Sequence, residues 1–178
     1  QTLWSTRPDG SNPMAVWGNE TPKPHCIFQA KSIPGCAKIV AVASAHHAIT
    51  GGPVLIIDPA KGNNSEASVL RLTPEPYPES EGWKGTPYYN APWPLSEDLF
   101  LAAYSRDDIV YEHSPNNMVR NPDYALGLYL LDSKGRRALL YRDGTLGATC
   151  PEPVKQRPVP PVLPSIIDPQ LAAKGKGE

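Results

Sequence analysis

Lys38–Ser44 (KIVAVAS) and Leu99–Ser105 (LFLAAYS), 61 residues apart, read as two versions of one apolar strand. Val54–Gly62 (VLIIDPAKG) and Leu128–Arg136 (LYLLDSKGR), 74 residues apart, read as two versions of the strand and turn that follow it. Each copy runs strand, loop, strand ending in Asp, Lys-Gly turn, short strand. A repeat of strand units at this period is the sequence pattern of β-propeller blades. Two copies do not close a ring. The expectation is therefore an all-β chain carrying part of a six- or seven-bladed propeller.

Working outward from the repeat gives the remaining strands. Leu3–Arg7 and Met14–Trp17 flank Pro8-Asp9-Gly10-Ser11-Asn12, a run of turn formers, and predict a hairpin over 1–20. Cys26–Ala30, Lys38–Ser44, Pro53–Asp58 and Leu70–Thr73 predict one four-stranded up-and-down blade over 25–73. Tyr88–Ala91, Leu99–Ser105, Gly127–Asp132 and Ala138–Tyr141 predict a second over 87–143. The hairpin is then the trailing pair of strands of a third blade, and 1–149 is one partial propeller. Glu75–Thr86 is expected as the loop between blades. Arg106–Ala125 is a loop of about 20 residues, a length that usually carries a function or is disordered. From Cys150 the chain changes character: Pro151–Pro164 holds six prolines in 14 residues and is expected as an extended, polyproline-like arm. The segment 150–178 reads as a proline-rich exit linker.

Composition excludes several classes. With 17 basic and 18 acidic residues and a net charge of −1, no basic surface for nucleic acid is expected. No stretch approaches the roughly 18 apolar residues of a membrane span. The 22 prolines speak against long helices. Three cysteines, Cys26, Cys36 and Cys150, show no CxxC spacing; Cys26 and Cys36 flank one strand-turn and read either as a bridge or as two small core thiols. The absence of G-x-S-x-G, P-loop and H-E-x-x-H patterns leaves no self-contained catalytic motif.

A specific likeness runs through the chain. Trp4-Ser5-Thr6-Arg7-Pro8-Asp9-Gly10-Ser11-Asn12-Pro13, Gly18-Asn19, Ile33-Pro34-Gly35, Ala45-His46-His47 and Ile57-Asp58-Pro59 occur in this order. Leu72-Thr73-Pro74-Glu75, Pro92-Trp93-Pro94-Leu95-Ser96-Glu97, Tyr129-Leu130-Leu131-Asp132, Leu140-Tyr141-Arg142-Asp143, Cys150 and Arg157-Pro158-Val159-Pro160-Pro161 follow. Together, over roughly 3–164, they resemble the propeller-type middle domain of the hydrazine synthase alpha subunit and its bacterial relatives. The blade pattern is also similar to the TolB and WD40-like families. The resemblance implies a section of a larger exported protein, periplasmic or extracellular, often fused to a cytochrome c-like domain. Its partners would be the remaining blades and that domain. No Cys-x-x-Cys-His motif is present, so no cofactor is expected within this chain and any c-type haem belongs to adjoining domains. Hydrazine synthesis itself is not assigned. The expected role is a scaffold, with a cofactor-free binding module for protein or glycan ligands as the alternative.

Few side chains stand out as site candidates. His46 and His47 sit just past a central strand, where propeller loops meet at one face. The resemblance makes them candidate haem-facing or metal-binding imidazoles, with His25 or a carboxylate completing the set; otherwise they are structural. Asp58 and Asp132 precede the same turn in both copies and are expected to accept turn N–H groups, as is Asp143. Ser96 and Glu97 are expected in a turn, and Trp93, Tyr88 and Tyr89 between blades. Glu75, Glu79, Glu81, Asp107, Asp108 and Glu112 are expected as solvated loop charges, their spacing matching no calcium loop.

Overall fold

The computed structural model describes residues 2–45, 50–78, 87–106, 126–156 and 159–175. Ten strands appear in them: β1 (Leu3–Ser5), β2 (Met14–Trp17), β3 (Cys26–Ser32), β4 (Ile39–Ser44), β5 (Val54–Ile57), β6 (Val69–Arg71), β7 (Tyr88–Pro94), β8 (Leu99–Ser105), β9 (Gly127–Asp132) and β10 (Arg137–Tyr141). They pair only with chain neighbours and only antiparallel. The result is a two-stranded hairpin, β1–β2, and two open four-stranded sheets in the orders β3-β4-β5-β6 and β7-β8-β9-β10. The fold is all-β apart from two short 3-10 turns and one helix, α1 (Pro169–Ala173).

The strands are short apolar runs whose alternate residues face opposite ways. In β4 and β5 the partners Val40↔Ile56 and Val42↔Val54 share one face, while Ile39↔Ile57 and Ala41↔Leu55 share the other. The first face packs on the neighbouring sheet: Val40, Val54 and Ile56 join Tyr89, Phe100, Ala102, Tyr104 and Leu131 in one core. The second face packs under the hairpin, where Ala41 and Ile57 meet Trp17, Leu3 and Val16. Trp17 is locked there by donating its indole N–H to Ser68 Oγ at 2.6 Å. The molecule is thus a stack of hairpin, sheet and sheet. Burying each large side chain between layers is worth about 1.5–3 kcal/mol.

The repeat seen in the sequence maps onto this stack position by position. Ile39 and Ala41 face the preceding layer, and so do their counterparts Phe100 and Ala102. Val40, Val54 and Ile56 face the following layer; their counterparts Leu101, Leu128 and Leu130 lie on the outward face of the second sheet and are half-buried. Each sheet relates to the one before it in the same way.

Two local departures from expectation have clear causes. β7 was expected to end at Ala91 but continues through Pro94. A bulge between Asn90 and Trp93, with Ala91 at φ 47°, lets the strand pass Pro92. Because β7 is an edge strand, the two prolines remove no ladder bond on its open side. The turn is therefore Leu95–Asp98 and not the whole Pro92–Glu97 run.

The arm after Cys150 folds back across the stack. Arg7 donates to the Pro164 carbonyl at 3.0 Å, and the Ile166 N–H donates to Asp9 Oδ2 at 3.1 Å. The hydroxyl and amide of Ser11 hold the Asp9 carboxyl well below the usual carboxylate range, and Ser165 and Ile166 of the arm add to the effect. The arm thus begins beside the second sheet, where Thr149 donates to Asn90, and Pro164–Ile166 lie at the hairpin turn. Helix α1 is capped by Asp168, which accepts from the Gln170 amide at 2.7 Å. The three cysteines are free thiols: Cys26 buried, Cys36 half-buried and Cys150 exposed.

Candidate functional site

His46 and His47 lie outside the described residues, as do Glu79, Glu81, Asp107, Asp108 and Glu112. The register still locates the start of the histidine loop. Cys26 pairs with Ser44, so His25, half-buried at the head of β3, lies at the end of the sheet where β4 finishes. The loop returns at Gly51-Gly52, which is clamped to the next sheet by paired backbone bonds between Gly52 and Tyr89 of 3.1 and 2.9 Å. A Cβ on Gly52, whose φ is 155°, would stand 2.1 Å from the Ala43 carbonyl, so only glycine fits.

Directly beyond that clamp, buried aromatic rings and one buried carboxylate meet the guanidinium of Arg137, which reaches in from the exposed strand β10. Tyr89, fully buried, accepts from Arg137 Nη1 at 3.0 Å. The same guanidinium lies 4.1 Å from the centroid of Tyr104, whose ring packs on Tyr89 at 4.6 Å and edge-on to Tyr129 at 5.3 Å. Glu75, 8% exposed, sits 4.0 Å from Arg137. Burial, reinforced by the Glu75 charge, pushes the Tyr89 phenol well above its ordinary pKa, and burial does the same to Tyr104. These groups stay protonated at any ordinary pH; the Tyr89 hydroxyl accepts from the guanidinium and both rings supply packing surface. Glu75, expected as a solvated loop charge, is instead carried into the core by the chain leaving β6. Thr73 begins that path, its hydroxyl accepting from the Val54 amide at 3.0 Å. No sequence signal marks this, because its partner Arg137 is 62 residues away.

A second feature lies along the edge strands β3 and β7, which run side by side. Lys31, Ser32, Pro34, Trp93, Pro94, Lys155 and Gln156 line an open cleft of about 530 Å³. The Lys31 ammonium lies 4.4 Å from the Trp93 ring centroid, a cation–π contact. Tyr88 and Tyr89 are buried as expected, but Trp93 is half-buried and faces this cleft. Two lysines, a tryptophan and a glutamine amide together suit a ligand with a flat or ring face and an anionic group.

The other singled-out carboxylates hold turns. Asp58 accepts from the Ala60 amide at 3.2 Å. Asp132 accepts from the Lys134 and Arg136 amides at 3.0 and 2.9 Å. Asp143 accepts from Thr145 and Leu146 at 2.7 and 2.9 Å; these bonds hold its carboxyl at about 2. Ser96 Oγ caps the Asp98 amide at 3.2 Å, and Glu97 forms a 2.7 Å bridge to Lys38 across the two sheets. Both side chains are half exposed, so solvent screens the bridge and it adds little to stability. Among the described residues no cluster of three or more metal-ligating side chains occurs, and no helix is long and apolar enough to cross a membrane.

No protein-family model, curated protein or solved structure matches the chain.

Proposed function

We propose that residues 1–149 form a section of a β-propeller: blades β3–β6 and β7–β10, with the hairpin β1–β2 as the trailing pair of a third. The observation that carries this reading is the position-by-position equivalence of the two sheets, each meeting its predecessor through the same alternate residues. Its role is a scaffold and interaction module of a larger exported protein, periplasmic or extracellular. The sequence resemblance to the hydrazine synthase alpha subunit middle domain adds a cytochrome c-like domain as partner. His46 or His47 then faces the central site, and c-type haem belongs to that adjoining domain. No hydrazine-forming activity is proposed for this chain. The test is a visible spectrum with haem staining on the full-length protein from an export-competent host. A covalent c-type Soret band is expected, and its absence overturns the cytochrome-linked reading.

One observation favours the second reading, a cofactor-free binding propeller. The Trp93–Lys31–Lys155 cleft lies at the inner strands, where propellers expose ligand-binding surface. Screening acidic and neutral oligosaccharides against the protein and its Trp93→Ala variant decides it. Binding lost in the variant supports a glycan module; no binding to either form removes it.

A further inference from the structure

Among the described residues, three of the four non-glycine positions with a left-handed backbone gather at one place: Gln29 (φ 56°), Ala91 (φ 47°) and Cys150 (φ 51°). With Glu152 and the Lys31–Trp93 pair they line a hollow of about 180 Å³. Lys31 and Trp93 also line the larger cleft of about 530 Å³, so the two hollows meet at this pair. The strands explain why. β3 is bulged between Phe28 and Lys31, and β7 between Asn90 and Trp93. Each bulge thus ends on one member of the cation–π pair, and bulges re-aim the side chains beside them. The Ala91 amide donates to Gln29 Oε1 at 2.6 Å, which locks one bulge to the other. Backbone strain persists only where its surroundings enforce it, and it gathers at ligand sites.

The joined hollows form a groove along the strand direction. Gln29–Ser32 and Ala91–Pro94 each cover about 10 Å at roughly 3.3 Å per residue. The arm supplies the remaining wall with Cys150, Pro151, Glu152, Lys155 and Gln156. Pro151 is buried, and the Thr149 hydroxyl, donating to Asn90 Oδ1 at 2.8 Å, fixes the near end of this wall. Its far end is fastened to the hairpin turn through Arg7 to Pro164 and Ile166 to Asp9. The wall is therefore held by contacts that lie outside the groove. Sugar rings would stack on Trp93, carboxylates would meet Lys31 and Lys155, and hydroxyls would meet Ser32 and Gln156. An acidic peptide would offer Trp93 no such ring faces.

We propose that the groove binds a linear acidic saccharide, an oligouronate, and that the arm is a clasp whose docking on the hairpin turn completes the site. This rests on the reading of the Trp93 cleft as a glycan site, and adds the charge of the ligand and the part played by the arm.

The test uses the chain 1–178 with tetramers of galacturonate and of mannuronate, and cellotetraose as the neutral control. Binding is read by calorimetry and by the rate at which a maleimide modifies Cys150, the exposed thiol in the groove. Cys26 and Cys36 serve as references in peptide mass spectrometry. An acidic tetramer is expected to bind and to slow modification of Cys150 about 5-fold or more, while cellotetraose does neither. Lys31→Gln and Lys155→Gln should each weaken binding about 3- to 10-fold. Arg7→Met and, separately, Ile166→Pro remove one anchor of the arm without touching the groove, and each should weaken binding by a similar factor. Full affinity in both anchor variants removes the clasp and leaves the glycan reading standing. Equal binding of cellotetraose removes the acidic ligand but not the glycan site. Equal binding of hexaglutamate makes the groove a peptide site and overturns the proposal. No binding of any tetramer, or binding unchanged in Trp93→Ala, overturns the proposal and the glycan reading together.

Discussion

The two four-stranded sheets share one sequence pattern but not one environment. In β3–β6 both faces are covered, one by the hairpin and one by the neighbouring sheet; Val40, Ala41, Val42, Val54, Leu55 and Ile57 are fully buried. In β7–β10 the face toward β3–β6 is equally closed, through Phe100, Ala102 and Leu131, but the leucines of the other face remain half open. The alternation of apolar residues is the same in both. Burial is therefore set by position in the stack, and equivalent residues carry different energetic weight.

The largest effect expected from this contrast is at Val40 and Leu101, which occupy the same repeat position. Val40→Ala should cost about 2–3 kcal/mol in a urea melt, by lost transfer energy and a cavity between layers. Leu101→Ala, although a larger truncation, should cost under about 1 kcal/mol. A reversed order breaks the comparison. Gly52→Ala comes next. Its methyl group would meet the Ala43 carbonyl at 2.1 Å, and a loss of about 2 kcal/mol or more is expected from the forced shift. An unchanged melting midpoint would show that the clamp between the loop after β4 and β7 is not rigid.

Smaller effects sharpen how the layers are held. Tyr89→Phe removes the acceptor of Arg137 while keeping the ring, and about 1 kcal/mol should be lost. Arg137→Met should cost more, because Glu75 stays buried without its cation; a smaller loss than in Tyr89→Phe would mean that the ion pair adds nothing. Least in size is a pH effect at Asp143. Its folded value of about 2 lies below the ordinary carboxylate pKa of roughly 3.9, so its contribution is fully present above about pH 4. That contribution is lost as pH falls through about 2. Asp143→Asn should flatten this part of an acid-unfolding profile and leave stability at neutral pH nearly unaffected by pH.

Much of this was legible because period-two alternation and Asp-Gly, Pro-Gly and Lys-Gly turns are local signals. All ten strands fall on runs identifiable by eye, and Asp58, Asp132 and Asp143 hold turns as their placement predicts. What escaped was non-local or depended on backbone conformation. β7 passes Pro92 only because Ala91 takes a left-handed conformation at an edge strand. Glu75 looks like any loop carboxylate until Arg137 is brought to it. The proline-rich arm reads as an exit because nothing in its composition points to Arg7 and Asp9. His46 and His47, the sharpest candidates in the sequence, lie outside the described residues, and the site features that emerged instead, Arg137 and the Lys31–Trp93 pair, carry no motif.

Thiol accessibility tests the repeat-and-stack account most directly. Cysteine is placed at Val40 and, separately, at Leu101, and each folded variant is treated with a maleimide before peptide mass spectrometry, so that the native Cys26, Cys36 and Cys150 are read apart. The account predicts rapid modification at position 101 and none at position 40 until the protein unfolds. Equal rates at the two positions would contradict it.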